Sequence, residues 1–422
     1  MDIIDPRNLV KNREILYRLI ISQLMYDGLD KFAVELSMLV KADECAPSER
    51  LLHVMITGML AKREKEPIVN DDVVMGIDLE FEPESTTLAP EPASYETAYV
   101  TSHKQSCRAG AFSHDGTLVA TGSVDASIKI LDVERMLAKS APEDLEPGRE
   151  QQAHPVIRTL YDHTDEVAFL EFHPTEHILA SGSRDCTVKL FDIAKPSVKK
   201  AHKVLTDCEP VTCLSFHPNG DFMVVGTEHQ TLRIYDVETS KCYGGAIPSH
   251  QHKAAIRCVK FASKAKLYAS GSVDGCIKIW DTVSGRCVNT ILDAHGGAEI
   301  CSLQFTRNGK YLLSSGKDSL VYLWELCTSR AIQTYTGAGT TGKQEHNTQA
   351  VFNHTEDYVL FPDEATTSLC SWNARNGARL NLMSLSHNGP VRYITHSPNA
   401  PAFLTCSDDY RARFWYRRTP NQ

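Results

Sequence analysis

Five segments of the chain align without a gap: GSVDASIKILD (122–132), GSRDCTVKLFD (182–192), GTEHQTLRIYD (226–236), GSVDGCIKIWD (271–281) and SGKDSLVYLWE (315–325). Two weaker copies follow, DEATTSLCSWN (363–373) and CSDDYRARFWY (406–416). An aromatic residue or Leu recurs near the end of each, at Leu131, Phe191, Tyr235, Trp280, Trp324, Trp372 and Trp415, at intervals of 60, 44, 45, 44, 48 and 43 residues. Six residues earlier stand Asp125, Asp185, His229, Asp274, Asp318, Thr366 and Asp409. A repeat of this period builds one supersecondary unit many times over, and each unit buries its apolar face against the next. Within the copies apolar and polar residues alternate (Ile128 and Ile130, Val188 and Leu190, Ile277 and Ile279), which is the period of half-buried strands.

A second signal is locked to the first. His103, His163, His252 and His387 each lie 22 residues before their Asp, and His295 lies 23 before. A period of 40–45 with a GH-like start and a WD-like end is the WD-repeat pattern. Seven copies predict a seven-bladed β-propeller, so the chain is mainly β. Five His–Asp pairs are not five active sites. Within each blade the His, a Ser or Thr on the next strand, the Asp and the Trp are expected to hydrogen-bond and lock the turns, since buried polar groups need partners. This structural network comprises His103–Asp125, His163–Asp185, His252–Asp274, His295–Asp318 and His387–Asp409. Blades three and six lack parts of it and are expected to be less rigid. The last repeat stops after its third strand, and YETAYVT (95–101) alternates like a strand, so it is predicted to complete the last blade and remove an exposed edge.

YTGAGTTGKQ (335–344) contains two overlapping nucleotide-binding patterns, one through Gly337, Gly339 and Gly342 and one through Gly337, Gly342 and Lys343. Both work only between a strand and a helix, where backbone N–H groups close on phosphate. Here the stretch falls between two blades, with no helical pattern after it and Gln344 where Ser or Thr would bind magnesium. It is read as a connection, and no cofactor is expected. No zinc-type Cys or His spacing is present, so no metal site is expected either. The thirteen cysteines lack a CxxC pair and read as reduced thiols. Every prominent His and Asp belongs to the repeat, so no catalytic residue can be named. A non-enzyme without a small-molecule substrate is expected.

The first quarter differs. Residues 1–99 carry 10 Lys and Arg against 19 Asp and Glu, so all of the net charge of −9 sits there. Neither part suggests strong non-specific attraction to nucleic acid. Asp5-Pro6 is a helix start signal, and Leu9, Leu16, Leu19, Ile20 and Leu24 form one apolar face, continued by Leu36 on a second helix. A third helix is predicted over 48–65. Three short helices cannot bury this much aliphatic surface alone, so residues 1–65 either pack against the propeller or dimerise through those six residues, and the acidic tether that follows favours dimerisation. Residues 66–96 hold nine acidic residues, four prolines and no basic residue, so 66–94 is expected to be an extended linker to a propeller over 95–422. Within it GIDLEF (76–81) reads either as a docking motif or as a turn and a strand. The polar excess after the first repeat, 136–154, is predicted to be a surface loop. No run of eighteen apolar residues exists, and no membrane span or secretory leader is expected.

Propellers use their faces. Arg184, Lys317 and Asp408 precede the turn aspartates and are expected to face a partner near the channel mouth. The C-terminal RARFWYRR reads as a last-blade strand, with RNA contact through its arginines and rings as the other reading.

LYRLIISQLMYDGLDKFAVEL (16–36) resembles the LisH-type dimerisation motif. Joined to a WD propeller, and with CAPSERLLH, GIDLEF, YVTSHK, ASIKILDVERMLAKSA, HPVIRTLYDH, QAVFNHTEDYVL and SDDYRARFWYRR, the chain resembles the WD-repeat subunits of the cleavage stimulation factor over nearly its whole length. The resemblance implies a nuclear, non-catalytic scaffold of pre-mRNA 3′-end cleavage and polyadenylation. It implies a homodimer, binding to the HAT-repeat subunit of that complex, and only indirect or weak contact with GU-rich RNA. The alternative is a LisH-WD substrate adaptor of a ubiquitin ligase.

Overall fold

The computed structural model describes residues 9–26, 29–40, 77–79, 89–140, 154–195, 197, 199–244, 247–338 and 344–417. The chain divides into two compact units, Met1–Val74 and Met75–Gln422.

In the first unit, helix α1 (Leu9–Tyr26) and helix α2 (Asp30–Val40) form a pair. The Leu29 N–H donates back to the Leu24 carbonyl at 2.8 Å and closes the end of α1. Ile21 and Ala33 are fully buried in the seam, with Tyr17, Leu24, Met25, Leu36 and Val40 packed around them. Leu19 is 6% exposed, so it belongs to the interior of one chain. Leu16 lies outside at 47%, as do Phe32, Met38 and Leu39 on α2 at 61%, 70% and 77%. Ile20 is half-buried. The side chain of Leu9 and the predicted third helix lie outside the described residues.

The second unit is a propeller of seven four-stranded antiparallel sheets. Six are built from consecutive strands, the first of each innermost and packed against the first strand of the next blade. The seventh is closed by the N-terminal strand Glu96–Ser102, which pairs with Arg411–Tyr416. The predicted closing strand is therefore in place, and the ring has no free edge there. The Gly that opens most repeat copies has a packing cause. A Cβ on Gly182 would meet the Val211 side chain at 2.6 Å, and one on Gly271 would meet Ile300 at 2.6 Å, in each case the first inner-strand residue of the next blade.

The His–Asp networks form as the spacing requires. His163 shares Nδ1 with Asp185 at 2.8 Å and Nε2 with Ser181 at 2.7 Å. In blade four His252 bonds Asp274 at 3.2 Å and Ser270 at 2.7 Å, and Trp280 Nε1 donates to the same hydroxyl at 2.8 Å. His295 bonds Asp318 at 2.9 Å and Ser314 at 2.8 Å, and His387 bonds Asp409 and Thr405, both at 2.9 Å. Blade one departs from the pattern. His103 Nδ1 meets Ser127 at 2.9 Å and Asp125 only at 3.8 Å, while Asp125 takes the Lys104 N–H at 2.8 Å. Burial pushes the Asp185 carboxyl up, but the hydrogen bonds from Thr187 and His163 more than offset it and bring it down to about 2. Burial holds His163 and His387 below the usual imidazole range, with the aspartates opposing.

Blades three and six fill the same places differently. Asp207 stands 22 residues before His229, so the pair is inverted, with the carboxylate in the His place. Asp207 then accepts a hydrogen bond from Tyr235 Oη at 3.0 Å and ion-pairs with Arg233 Nε at 2.6 Å instead of meeting His229. In blade six Gln344 stands 22 before Thr366, Pro362 replaces the Ser, and Trp372 Nε1 donates to the Thr336 carbonyl at 3.0 Å. Both side-chain amide atoms of Gln344 are buried without a hydrogen-bond partner.

Two expectations change. The first residues of the blade-one insertion are helical rather than loop. Helix α3 (Val133–Lys139) is capped by Asp132, which accepts the Arg135 N–H, and its Met136 is buried. Residues 141–153 lie outside the described residues. The linker is not free throughout, since residues 77–79 and 89–94 are seated on the propeller. Of YTGAGTTGKQ, Gly339, Gly342 and Lys343 lie outside the described residues. The chain that follows is extended, entering strand Val351–Phe352 without a helix.

Candidate partner-binding face

The face that carries the His–Asp turns surrounds one mouth of the central channel. The innermost strand of most blades begins with a β-bulge. The register shifts between Cys107 and Ala109, Val167 and Phe169, Val211 and Cys213, Ile256 and Cys258, Ile300 and Ser302, and Val391 and Tyr393. A bulge leaves one residue unpaired and re-aims its side chain. Those residues are Arg108, Ala168, Thr212, Arg257, Cys301 and Arg392, and all six line a cavity of about 230 Å³ at this mouth. Aligning the repeats on the first inner-strand residue, rather than on the turn Asp, exposes this position in the sequence.

The arginines meet a ring of carboxylates. Arg108 Nε lies 3.3 Å from Asp408 and 3.9 Å from Glu166. Arg392 reaches Asp408 at 2.5 Å, Arg257 lies 4.0 Å from Glu299, and Arg184 lies 3.4 Å from Glu228. Lys317 pairs with Glu299 at 2.8 Å. Burial lowers Arg392, and Asp408 opposes that shift. Arg184, Lys317 and Asp408 thus all reach the rim, but each is held by a neighbour of opposite charge. The rim is balanced rather than basic. Arg108 Nε, Arg257 Nε, Glu299 Oε2 and Asp408 Oδ1 are buried there in ion pairs without a hydrogen bond among the described residues.

Glu345, His346 and Glu364 bring metal-competent atoms within 4.8 Å of one another on this face. Glu364 is already used there, accepting the N–H groups of Glu345 and His346 at 3.1 and 3.2 Å. The C-terminal strand offers little to RNA. Phe414 and Trp415 are buried, Arg413 donates to the Ser386 carbonyl and Arg417 to the Ser94 carbonyl. Arg411 is exposed, and Arg418 lies outside the described residues.

"Cleavage stimulation factor subunit 1, dimerisation domain" matches residues 8–63. "WD domain, G-beta repeat" matches 95–132, 155–192, 198–236, 245–281, 285–325 and 380–416. The chain is 34% identical over 322 residues to "Cleavage stimulation factor subunit 50" of Arabidopsis thaliana, spanning 76% of this chain and 73% of the relative. The chain belongs to that family of WD-repeat cleavage stimulation factor subunits. The family is a non-catalytic WD40 scaffold of mRNA 3′ processing, and its dimerisation domain supports a homodimer. Weaker likeness extends to "Nuclear distribution protein nudF" of Emericella nidulans, 30% identical over 61% of this chain and 60% of the relative. The repeat matches pass over blade six, whose Gln344, Pro362 and Thr366 replace the usual His, Ser and Asp. The propeller nevertheless builds that blade, from strands Val351–Phe352, Tyr358–Asp363, Ser368–Asn373 and Met383–Ser384.

Proposed function

We propose that this chain is a dimeric scaffold in 3′-end cleavage and polyadenylation of pre-mRNA. It works in the nucleus and binds the C-terminal region of the HAT-repeat subunit at the charged channel mouth. It supports recognition of GU-rich downstream RNA through its partners. The observation that carries the reading is the join of a dimerisation-domain match over 8–63 to a ring whose one mouth is lined by paired charges. A balanced rim suits a peptide, which presents N–H and carbonyl groups as well as charge. Polyphosphate would prefer a positive one. Family membership favours this reading over the ubiquitin-ligase adaptor.

Dimerisation is assigned to the apolar side chains that α1 and α2 leave outside, Leu16 with Phe32, Met38 and Leu39. Ile21, Leu24 and Leu36 support the pair from inside. Leu16→Asp with Met38→Asp is expected to give a folded monomer by light scattering, and an unchanged dimer would move the interface elsewhere. The functional test is titration of the full chain with the HAT-repeat subunit's C-terminal region and, separately, with GU-rich RNA. Tight protein binding beside weak, salt-sensitive RNA binding supports the scaffold. Strong sequence-specific RNA binding with no affinity for the protein segment refutes it.

A further inference from the structure

The opposite face of the ring holds a second, smaller site. Ile77 is 3% exposed and joins the apolar cluster that contains Tyr311, Phe352 and Trp372, with Leu79 packed against it. Every backbone group of the short segment that faces the ring is met. The Ile77 N–H donates to Glu356 Oε2 at 2.9 Å, and Asn308 Nδ2 donates to the Ile77 carbonyl at 2.7 Å. Arg375 donates to the Asp78 carbonyl at 2.7 Å, and Tyr311 Oη takes the Leu79 N–H at 3.4 Å. The Asp78 carboxylate pairs with Lys310 at 2.6 Å. Side chain, main chain and charge are therefore all read, over three residues.

The receptor turn carries a local cost. At the inner turn of blades one, three and five the left-handed position is Gly116, Gly220 or Gly309, and in blade four it is the small Ala265. In blade six it is Glu356, at φ 61° and 4% exposed. A bulky residue in that backbone region is strained, and a buried carboxylate must be satisfied. One oxygen accepts the Arg307 N–H at 2.7 Å, from within the ring. The other accepts the Ile77 N–H, so half of the carboxylate's bonding comes from the incoming segment. Nine residues separate Leu79 from Ala89, whose N–H donates to Asp357 at 3.1 Å on the same turn.

We propose that the groove between the inner turns of blades five and six is a peptide-binding site for an apolar–Asp–apolar sequence, with Ile77–Asp78–Leu79 as its resident ligand. When the resident is displaced, the groove takes the same sequence from a free peptide. The site lies on the face away from the charged channel mouth, so both can be filled at once.

The test uses the full chain. A fluorescein-labelled peptide of residues 75–82 (MGIDLEFE) is titrated with the native chain and with Ile77→Asp, in which the resident segment cannot enter the apolar slot. The Ile77→Asp chain is expected to bind at least about tenfold tighter than the native chain. Adding Lys310→Glu and Arg375→Glu is expected to abolish that binding. Equal binding by the native and Ile77→Asp chains, or none by a folded Ile77→Asp chain, overturns the proposal. Amide exchange on the native chain gives a readout without the slot variant. Ile77 N–H is expected to exchange at least about a hundredfold slower than in the free peptide. Exchange at the free-peptide rate also overturns the proposal.

Discussion

The two faces of the ring are ends of the same strands, yet they are finished differently. On the channel-mouth face the turns are pinned by four buried His–Asp hydrogen bonds and, in blade one, by His103 bonded through Ser127, and the bulge residues beside them vary as Arg, Ala, Thr and Cys. On the other face the inner turns are held by short polar bonds within each turn, as at Ser113–Asp115, Thr306–Asn308 and Asn353–Thr355–Asp357, and the chain itself fills one groove with Ile77–Leu79. A fixed framework frees its neighbours to serve a partner, as loops on rigid scaffolds do. A groove already filled by its own chain offers nothing until that segment leaves.

The largest expected effect breaks both faces at once. Deleting residues 1–74 keeps the segment on the groove and the closing strand, and the propeller should melt cooperatively. Deleting 1–104 removes both and opens blade seven, and the cooperative transition should be lost. Equal melting of the two would sink the role of Glu96–Ser102 in closure.

Next comes the framework of one face alone. Asp185→Ala leaves His163 Nδ1 and the N–H groups of Thr164 and Thr187 without their acceptor. Urea titration should show a loss of roughly 3 kcal/mol. His229→Ala, at the matching place in blade three, should cost no more than about 0.5 kcal/mol, because His229 is exposed and has no Asp partner. Similar losses at the two sites would mean that the network adds nothing beyond the strands.

The same framework sets an acid limit. The folded-state values of His163 and Asp185 are both depressed, so the unfolded chain binds protons that the folded chain refuses. Their stabilisation is present above the unfolded imidazole value of about 6.5 and is lost as pH falls below it, first through His163, then through Asp185 towards about 2. The urea midpoint should therefore decline from about pH 6.5 downward. In His163→Gln with Asp185→Asn the slope should flatten, whereas Lys310→Glu on the other face should leave it unchanged.

The smallest effect separates rim from framework. Arg184→Ala removes a half-exposed pair with Glu228 and should change stability by less than about 0.5 kcal/mol, while still altering partner binding.

Much of this was legible in the residues. The turn Asp, the His 22 residues before it and the strand alternation carry the seven blades, including the sixth, because backbone pairing tolerates Pro362 and Thr366 where a side-chain network does not. The closing strand was legible because a ring must hide its edge. The channel mouth was only half legible. Arg184, Lys317 and Asp408 reach it, but their partners Glu228, Glu299 and Arg392 come from other parts of the chain, and a bulge position has no signature in a pattern read at period two. The helical face was misaligned for a similar reason. Ile21, Leu24 and Leu36 go inward because α2 packs on α1, which only the pairing of the two helices decides. GIDLEF stayed ambiguous because three residues carry no period, and their receptor lies more than two hundred residues away.

The most direct measurement compares the two faces for the same ligand. The full chain is titrated with the HAT-repeat subunit's C-terminal region as native protein, as Arg108→Glu with Arg257→Glu, and as Lys310→Glu with Arg375→Glu, each checked for an unchanged cooperative melt. Charge reversal at the channel mouth should weaken binding by at least about tenfold, and reversal on the opposite face should leave it within about twofold. Undiminished binding by the channel-mouth variant, or loss confined to the Lys310 and Arg375 variant, would contradict the assignment of the partner to this face.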